Sequence, residues 1–317
     1  MDGWRAFDRS RHHPISSSTE PGLTLTLRQR GEGPPILFVH GATFSGRIFD
    51  LPDARLNWLQ VMADAGFSAY ALDIRGYGLS QPARFPEARP YATGPEAMVD
   101  IDDAVRWITA RHGTAQLVLA GWSWGTLTTA RYALGPGRDR VKGLCLYAPI
   151  FAEANAGWID MLADPADRTR LRPLDAFRRV DLSDTRLRWD GQLPAGAQGW
   201  RDDAVMEALV AASVADDGSA TEGPQPCFRV PNGTFQELWE CFNGRPIYDP
   251  SELDCPTLLI RGAQDPTSTR SDALALFDRL TMTDRDYVEI NGGTHFLNAE
   301  ARAGALFDAV TAFARRC

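Results

Sequence analysis

Residues 117–134, LVLAGWSWGTLTTARYAL, constrain the fold of this chain more than any other stretch. Residues 116–120 read as a buried strand, apolar from Leu117 to Ala120. Leu127, Ala130 and Leu134 then recur at helical spacing, so a helix follows almost at once. Only a sharp turn can join the two, and Ser123 sits on it between Gly121 and Gly125. Glycines at those places remove side chains that would collide where strand and helix cross. A buried strand that feeds directly into a helix belongs to a βαβ chain path, and hence to a parallel sheet covered by helices on both faces.

The same rhythm runs through much of the chain. Alternation begins at LTLTLRQRG (23–31), and PPILFVHG (34–41) reads as a short strand buried on both faces. A helix at about 56–65 leads through Gly66 into the strand FSAYALD (67–73). Met98, Ile101, Val105 and Ile108 mark a further helix, with Gly113 as its stop. VKGLCLYAP (141–149) is the next strand. The rhythm resumes after residue 254 with CPTLLIRG, the helix SDALALFDRL, the strand DYVEING and a closing helix over about 300–315. Between them, residues 151–254 offer no strand for the central sheet, and scattered prolines, acids and arginines give a mostly helical insertion. The expected organisation is a core over 1–150 and 255–317, split by that insertion. The first twenty residues are polar and irregular, and no structure is expected of them.

Composition narrows the function. The 33 basic and 41 acidic residues give a net charge of -8 without a long basic run, which argues against nucleic-acid or anionic-membrane surfaces and for a small-molecule partner. No apolar run is long enough to span a bilayer, and MDGWRAFDRSRHHP lacks the apolar core of a signal peptide, so the cytoplasm is the expected compartment. Five cysteines, Cys145, Cys227, Cys241, Cys255 and Cys317, form neither a CxxC pair nor a metal-ligand spacing. Phosphate-binding glycine fingerprints are missing too, so no cofactor is expected. Oligomeric state is not legible.

Nucleophilic acyl chemistry needs an activated hydroxyl, a neutral base, a group orienting that base, and donors aimed at the developing oxyanion. Ser123, in a G-x-S-x-G turn at a helix amino terminus, supplies the hydroxyl. His295, on the glycine-rich loop NGGTHFLN after the last strand, is the only histidine beyond Ser123. Asp265, in RGAQDPTS just past the preceding strand, can hold the imidazole in one tautomer; a helix cap is the competing role for it. The oxyanion donors are expected to be the backbone N–H groups of Ala42 and Trp124, with His40 shaping the turn after its strand.

Taken in order, HGATFSG, DIRGYGLS, GWSWG, RGAQD and GGTH resemble the α/β-hydrolase family, in its lid-bearing branch of serine hydrolases. The resemblance implies Ser123 as nucleophile, His295 as base, Asp265 as the acid, Ala42 and Trp124 at the oxyanion hole, and 151–254 as a cap over the site. Asp73 and Arg75 then shape a loop. Epoxide hydrolases and haloalkane dehalogenases of this fold carry aspartate where this chain has Ser123, so those activities are not expected. Proline iminopeptidases differ at HGATFSG, which leaves peptidase activity a minor reading. The expected substrate is an ester, lactone or thioester of a bulky apolar molecule, with Trp122, Trp124, Phe151, Trp158 and Trp239 as candidate binding residues; for the last three, the cap's own small core is an equal alternative role. A cyclase, lyase or dehydratase on the same fold is the alternative.

Overall fold

The computed structural model describes residues 10–87, 89–218 and 225–317. In chain order, β1 (Arg11–Ser16), β2 (Thr24–Arg30) and β3 (Pro35–Val39) are followed by α1 (Trp58–Asp64), β4 (Ser68–Asp73), α2 (Gly94–His112), β5 (Leu117–Trp122), α3 (Trp124–Leu134) and β6 (Val141–Tyr147). The inserted segment holds α4 (Ala156–Leu162), β7 (Phe177–Val180), α5 (Leu182–Asp190), α6 (Asp203–Asp217), β8 (Phe228–Pro231) and α7 (Thr234–Phe242). The chain closes with β9 (Thr257–Gly262), α8 (Arg270–Arg279), β10 (Arg285–Ile290) and α9 (Ala303–Arg316).

Eight strands form one sheet in the order β1-β2-β4-β3-β5-β6-β9-β10, parallel from β4 to β10 and antiparallel at β1 and β2. β3, β4 and β5 are buried at every position, as strands covered on both faces must be. α1 and α9 pack together, as do α2 and α3. Local chemistry sets the helix ends. Thr93 and Glu96 close a capping box at the start of α2, and Gly113 ends it with a left-handed φ of 62°.

The path from β3 through α1 goes to β4 on one side, whereas β4 through α2 returns to β5 on the other side of β3. Connections therefore diverge at β3 and β5, and the carboxyl ends of these neighbours border a crevice, the usual ligand site of such sheets. Ala42 follows β3 and Ser123 follows β5.

One expectation needs correction and another needs an addition. Residues 11–16 form strand β1, although the amino-terminal stretch offers no strand pattern. Only Ile15 of RHHPIS is buried; pairing with β2 along a sheet edge, where Pro14 is tolerated, makes the strand. Residues 1–9 of that stretch lie outside the described residues. The insertion also contains β7 and β8, an antiparallel pair separate from the main sheet. Their sequences, FRRV and FRVP, are short and cationic, and the facing Arg179 and Arg229 are accommodated in part because Arg229 engages Asp217.

Candidate active site

Ser123 links β5 to α3 with φ 57° and ψ −123°, a conformation that costs a non-glycine residue about 1–3 kcal/mol. Its neighbours hold it there. The Ser123 N–H donates to Tyr147 O at 2.9 Å, and Thr126 Oγ1 donates to Ser123 O at 2.6 Å. The flanking glycines are required by close approach: a Cβ on Gly121 would stand 2.4 Å from Gly125 O, and one on Gly125 would stand 2.5 Å from Val39 O. A Cβ on Gly41 would meet Ser123 Cβ at 3.0 Å, so the β3 loop lies directly against the serine.

The three distant side chains meet. His295 Nε2 is 2.9 Å from Ser123 Oγ, and His295 Nδ1 is 2.8 Å from Asp265 Oδ2. The other Asp265 oxygen accepts N–H bonds from Thr267 and Ser268 at 2.8 and 2.9 Å, which fixes the carboxylate. Asp265 does not cap α8; Thr269 does. With the carboxylate as acceptor, Nδ1 carries the proton and Nε2 faces the serine hydroxyl as a base.

Backbone contacts set the imidazole loop. His295 O accepts from Trp122 Nε1 at 3.1 Å and from Tyr147 Oη at 3.2 Å, while His295 N–H donates to Gln192 Oε1 at 3.2 Å. Glu300 accepts from Thr294 N–H and Trp189 Nε1, each at 2.8 Å, and burial raises its pKa. Sequence reasoning missed Gln192, Tyr147 and Glu300, because each acts through a partner that no local pattern reveals.

The Ala42 N–H has no acceptor among the described residues, and the Trp124 N–H opens α3, where the first N–H groups of a helix lack intrahelical partners. His40 shapes the turn between them. Burial pulls its pKa down to about 4, and the neutral ring donates from Nδ1 to Gly41 O at 2.8 Å and accepts at Nε2 from Ile74 N–H at 3.2 Å. Asp73 accepts N–H bonds from Gly46 and Leu79, and Arg75 is locked on Asp100, so both organise loops. Burial alone would raise Asp73; the Arg28 charge and hydrogen bond outweigh it and hold the carboxyl below its ordinary range.

A cavity of about 500 Å³ adjoins these loops. Its walls include Thr43, Pro266 and Phe296, the chain neighbours of Ala42, Asp265 and His295, together with Trp158, Phe235, Arg178 and Arg188 from the insertion. Of the aromatic residues expected to line a pocket, Trp158 does so, stacked on Phe242. The others belong to the packing around it. Trp124 is fully buried, with its indole N–H held by Glu237 at 2.8 Å; Trp122 lies against Tyr147 and His295. Phe151 packs on Tyr248 where the insertion leaves the core, and Trp239 is buried in α7. Among the described residues no cluster of three or more His, Cys, Asp or Glu is arranged to hold a metal, and no helix is long and apolar enough to cross a membrane.

A turn-borne serine, a histidine and an aspartate at the carboxyl edge of a mostly parallel sheet mark a class of fold that sequence comparison then defines. The profile of the Alpha/beta hydrolase family matches residues 36–309, and the chain belongs to that family. It is 33% identical over 227 residues to the 2-(acetamidomethylene)succinate hydrolase of Mesorhizobium japonicum, across 63% of this chain and 75% of that protein. It is 32% identical over 108 residues to an epoxide hydrolase of Caballeronia sordidicola, across 33% of this chain and only 28% of that protein. Among solved structures it superposes on a thermophilic esterase from Thermogutta terrifontis with a TM-score of 0.64 at 18% identity, covering 96% of this chain and 98% of that one. An E-2-(acetamidomethylene)succinate hydrolase gives a TM-score of 0.65 at 18% identity, with 96% and 98% covered. At such identities the superpositions speak for the fold.

Proposed function

We propose that the protein is a serine hydrolase that cleaves an ester, lactone or thioester of a small molecule with a bulky apolar part. The observation that carries this reading is the unbroken contact from Ser123 Oγ through the His295 ring to Asp265, 2.9 and 2.8 Å at its two links. Ser123 Oγ attacks the carbonyl carbon as His295 Nε2 takes its proton, and the carbonyl electrons move onto oxygen. The N–H groups of Ala42 and Trp124 receive that oxyanion, while Asp265 keeps the imidazolium oriented. Collapse expels the alcohol or thiol, which takes the proton back from Nε2 and leaves an acyl-serine. Water, deprotonated by His295, then attacks the acyl carbon and regenerates the hydroxyl.

The insertion acts as a cap in this reading. Its Trp158, Gln192 and Arg188 side chains reach Thr267, His295 N–H and Thr43, so it roofs the loops that carry the chemistry. A serine in place of the aspartate of epoxide hydrolases favours acyl transfer over epoxide opening. The test is a panel of p-nitrophenyl esters and lactones with the wild type and Ser123→Ala. Turnover by the wild type that vanishes in a folded variant is expected; equal rates in the two would overturn the reading.

A further inference from the structure

Two half-buried arginines at the cavity lack what the fully buried arginines among the described residues have. Arg28, Arg47, Arg75 and Arg261 each reach a carboxylate: Asp73, Asp216, Asp100 and Glu289. Arg178 and Arg188 make no ion pair among the described residues. Arg178 donates to Pro231 O at 3.3 Å, Asn232 Oδ1 at 3.0 Å and Ala42 O at 3.0 Å, with its guanidinium 4.3 Å from the centre of the Phe235 ring. Arg188 donates to Thr43 Oγ1 at 2.7 Å and lies over Trp158 and Phe296, 5.4 and 5.6 Å from their ring centres. These oxygen acceptors are all neutral. Burial lowers both guanidinium pKa values to about 10, yet they stay charged at neutral pH.

An unpaired cation in a largely apolar pocket is unfavourable unless something brings a counter-charge. Asp184 and Asp265 attract Arg178 and Arg188, respectively, from a distance, but neither carboxylate closes to an ion pair with them. Asp184, the carboxylate in the cavity wall, accepts the Asp181 N–H at the start of α5, and Asp265 is committed to His295 and two backbone donors. Each guanidinium has donors to spare beyond those bonds, since the group carries five in a planar fork that matches a carboxylate. Both are anchored on residues 42 and 43, beside the N–H group assigned to the oxyanion. The aromatic rings beneath them accept an apolar body.

We propose that Arg178 and Arg188 form a carboxylate subsite, so that the substrate is an ester-type compound carrying a free carboxylate next to an apolar group. The inference rests on Ser123 being the nucleophile that serves this cavity. It sharpens the apolar substrate expected from the aromatic residues alone: the rings hold the body and the arginines hold an anion.

The experiment is protection of Ser123 from a neutral alkyl fluorophosphonate by phenylsuccinate, by its uncharged diamide and by phenylphosphonate. Phenylsuccinate is expected to halve the labelling rate at a concentration about tenfold lower than the diamide, the scale of one charge-assisted contact. In Arg188→Gln and Arg178→Gln that ratio should fall towards one, and Arg188→Lys should keep part of it. Equal protection by acid and diamide, no protection by either, or a ratio untouched in both glutamine variants overturns the proposal. Stronger protection by the phosphonate than by the dicarboxylate would replace the carboxylate with a phosphoryl group. Calorimetric titration of the same three compounds reads the subsite without any labelling. Loss of labelling with carboxylate-selective binding intact would therefore count against the nucleophile and not against the arginines.

Discussion

The fully buried arginines in and beside the sheet are matched with carboxylates; the half-buried Arg178 and Arg188 at the cavity are not. Arg28 lies between Asp73 and Asp216, which ties β2 to the end of β4 and to α6 of the insertion, and Arg75 joins the loop after β4 to α2 through Asp100. Such pairs hold segments in register, and their charges are consumed in doing so. Arg178 and Arg188 are fastened instead to carbonyl, amide and hydroxyl oxygens, which position a guanidinium without neutralising it. Paired charge, in the core and in the insertion alike, serves architecture, whereas the two arginines at the cavity keep donors free for a ligand. Ser123, His295 and Asp265 stand between the two regions, built on the core and faced by the insertion.

Substitutions can break or sharpen that contrast. Ser123→Ala, at the junction, should lower turnover by about 10⁵- to 10⁶-fold with the thermal midpoint unchanged; ester hydrolysis and calorimetry check both. Asp265→Asn should cost about 10⁴-fold in kcat, because an amide favours the wrong imidazole tautomer. Arg75→Met belongs to the architectural side and should destabilise the fold by about 3 kcal/mol in urea titration, as it strands Asp100 without its partner. Burial already lifts Asp100 to about 6 despite Arg75, so the loss should be smaller in acid, where the carboxyl is protonated.

His40 supplies a pH test on the same side. Its folded pKa of about 4 lies below the ordinary 6.5, so its contribution to stability is complete above 6.5 and is lost as pH falls towards 4, while the unfolded chain takes up the proton. The total is about 3 kcal/mol, and His40→Gln should flatten that part of the stability profile. The smallest effect belongs to Arg188→Gln, which removes no ion pair and should shift stability by less than about 1 kcal/mol. A loss as large as that of Arg75→Met would erase the contrast.

The sheet and the candidate site residues were legible for one reason: both obey short-range rules. Uninterrupted apolar runs place β3, β5, β6 and β9, and Ser123, Asp265 and His295 stand on the turns that follow strands. β1 escaped because its single buried residue, Ile15, makes no pattern until β2 lies beside it. β7 and β8 escaped because arginines occupy positions that alternation would give to apolar residues. Tryptophans misled for another reason. Whether Trp124 faces a ligand or the interior depends on Glu237, 113 positions away, which takes its indole N–H. Arg188 likewise reads as an ordinary exposed helix charge until the fold sets it over Phe296 beside the histidine.

Mass spectrometry of the protein quenched during turnover of a slow aryl ester addresses the acyl-enzyme itself. The account predicts a mass increase equal to one acyl group, mapped to the peptide containing Ser123 and absent from Ser123→Ala. Steady hydrolysis of that ester with no adduct on Ser123, or with the adduct on another residue, would contradict it.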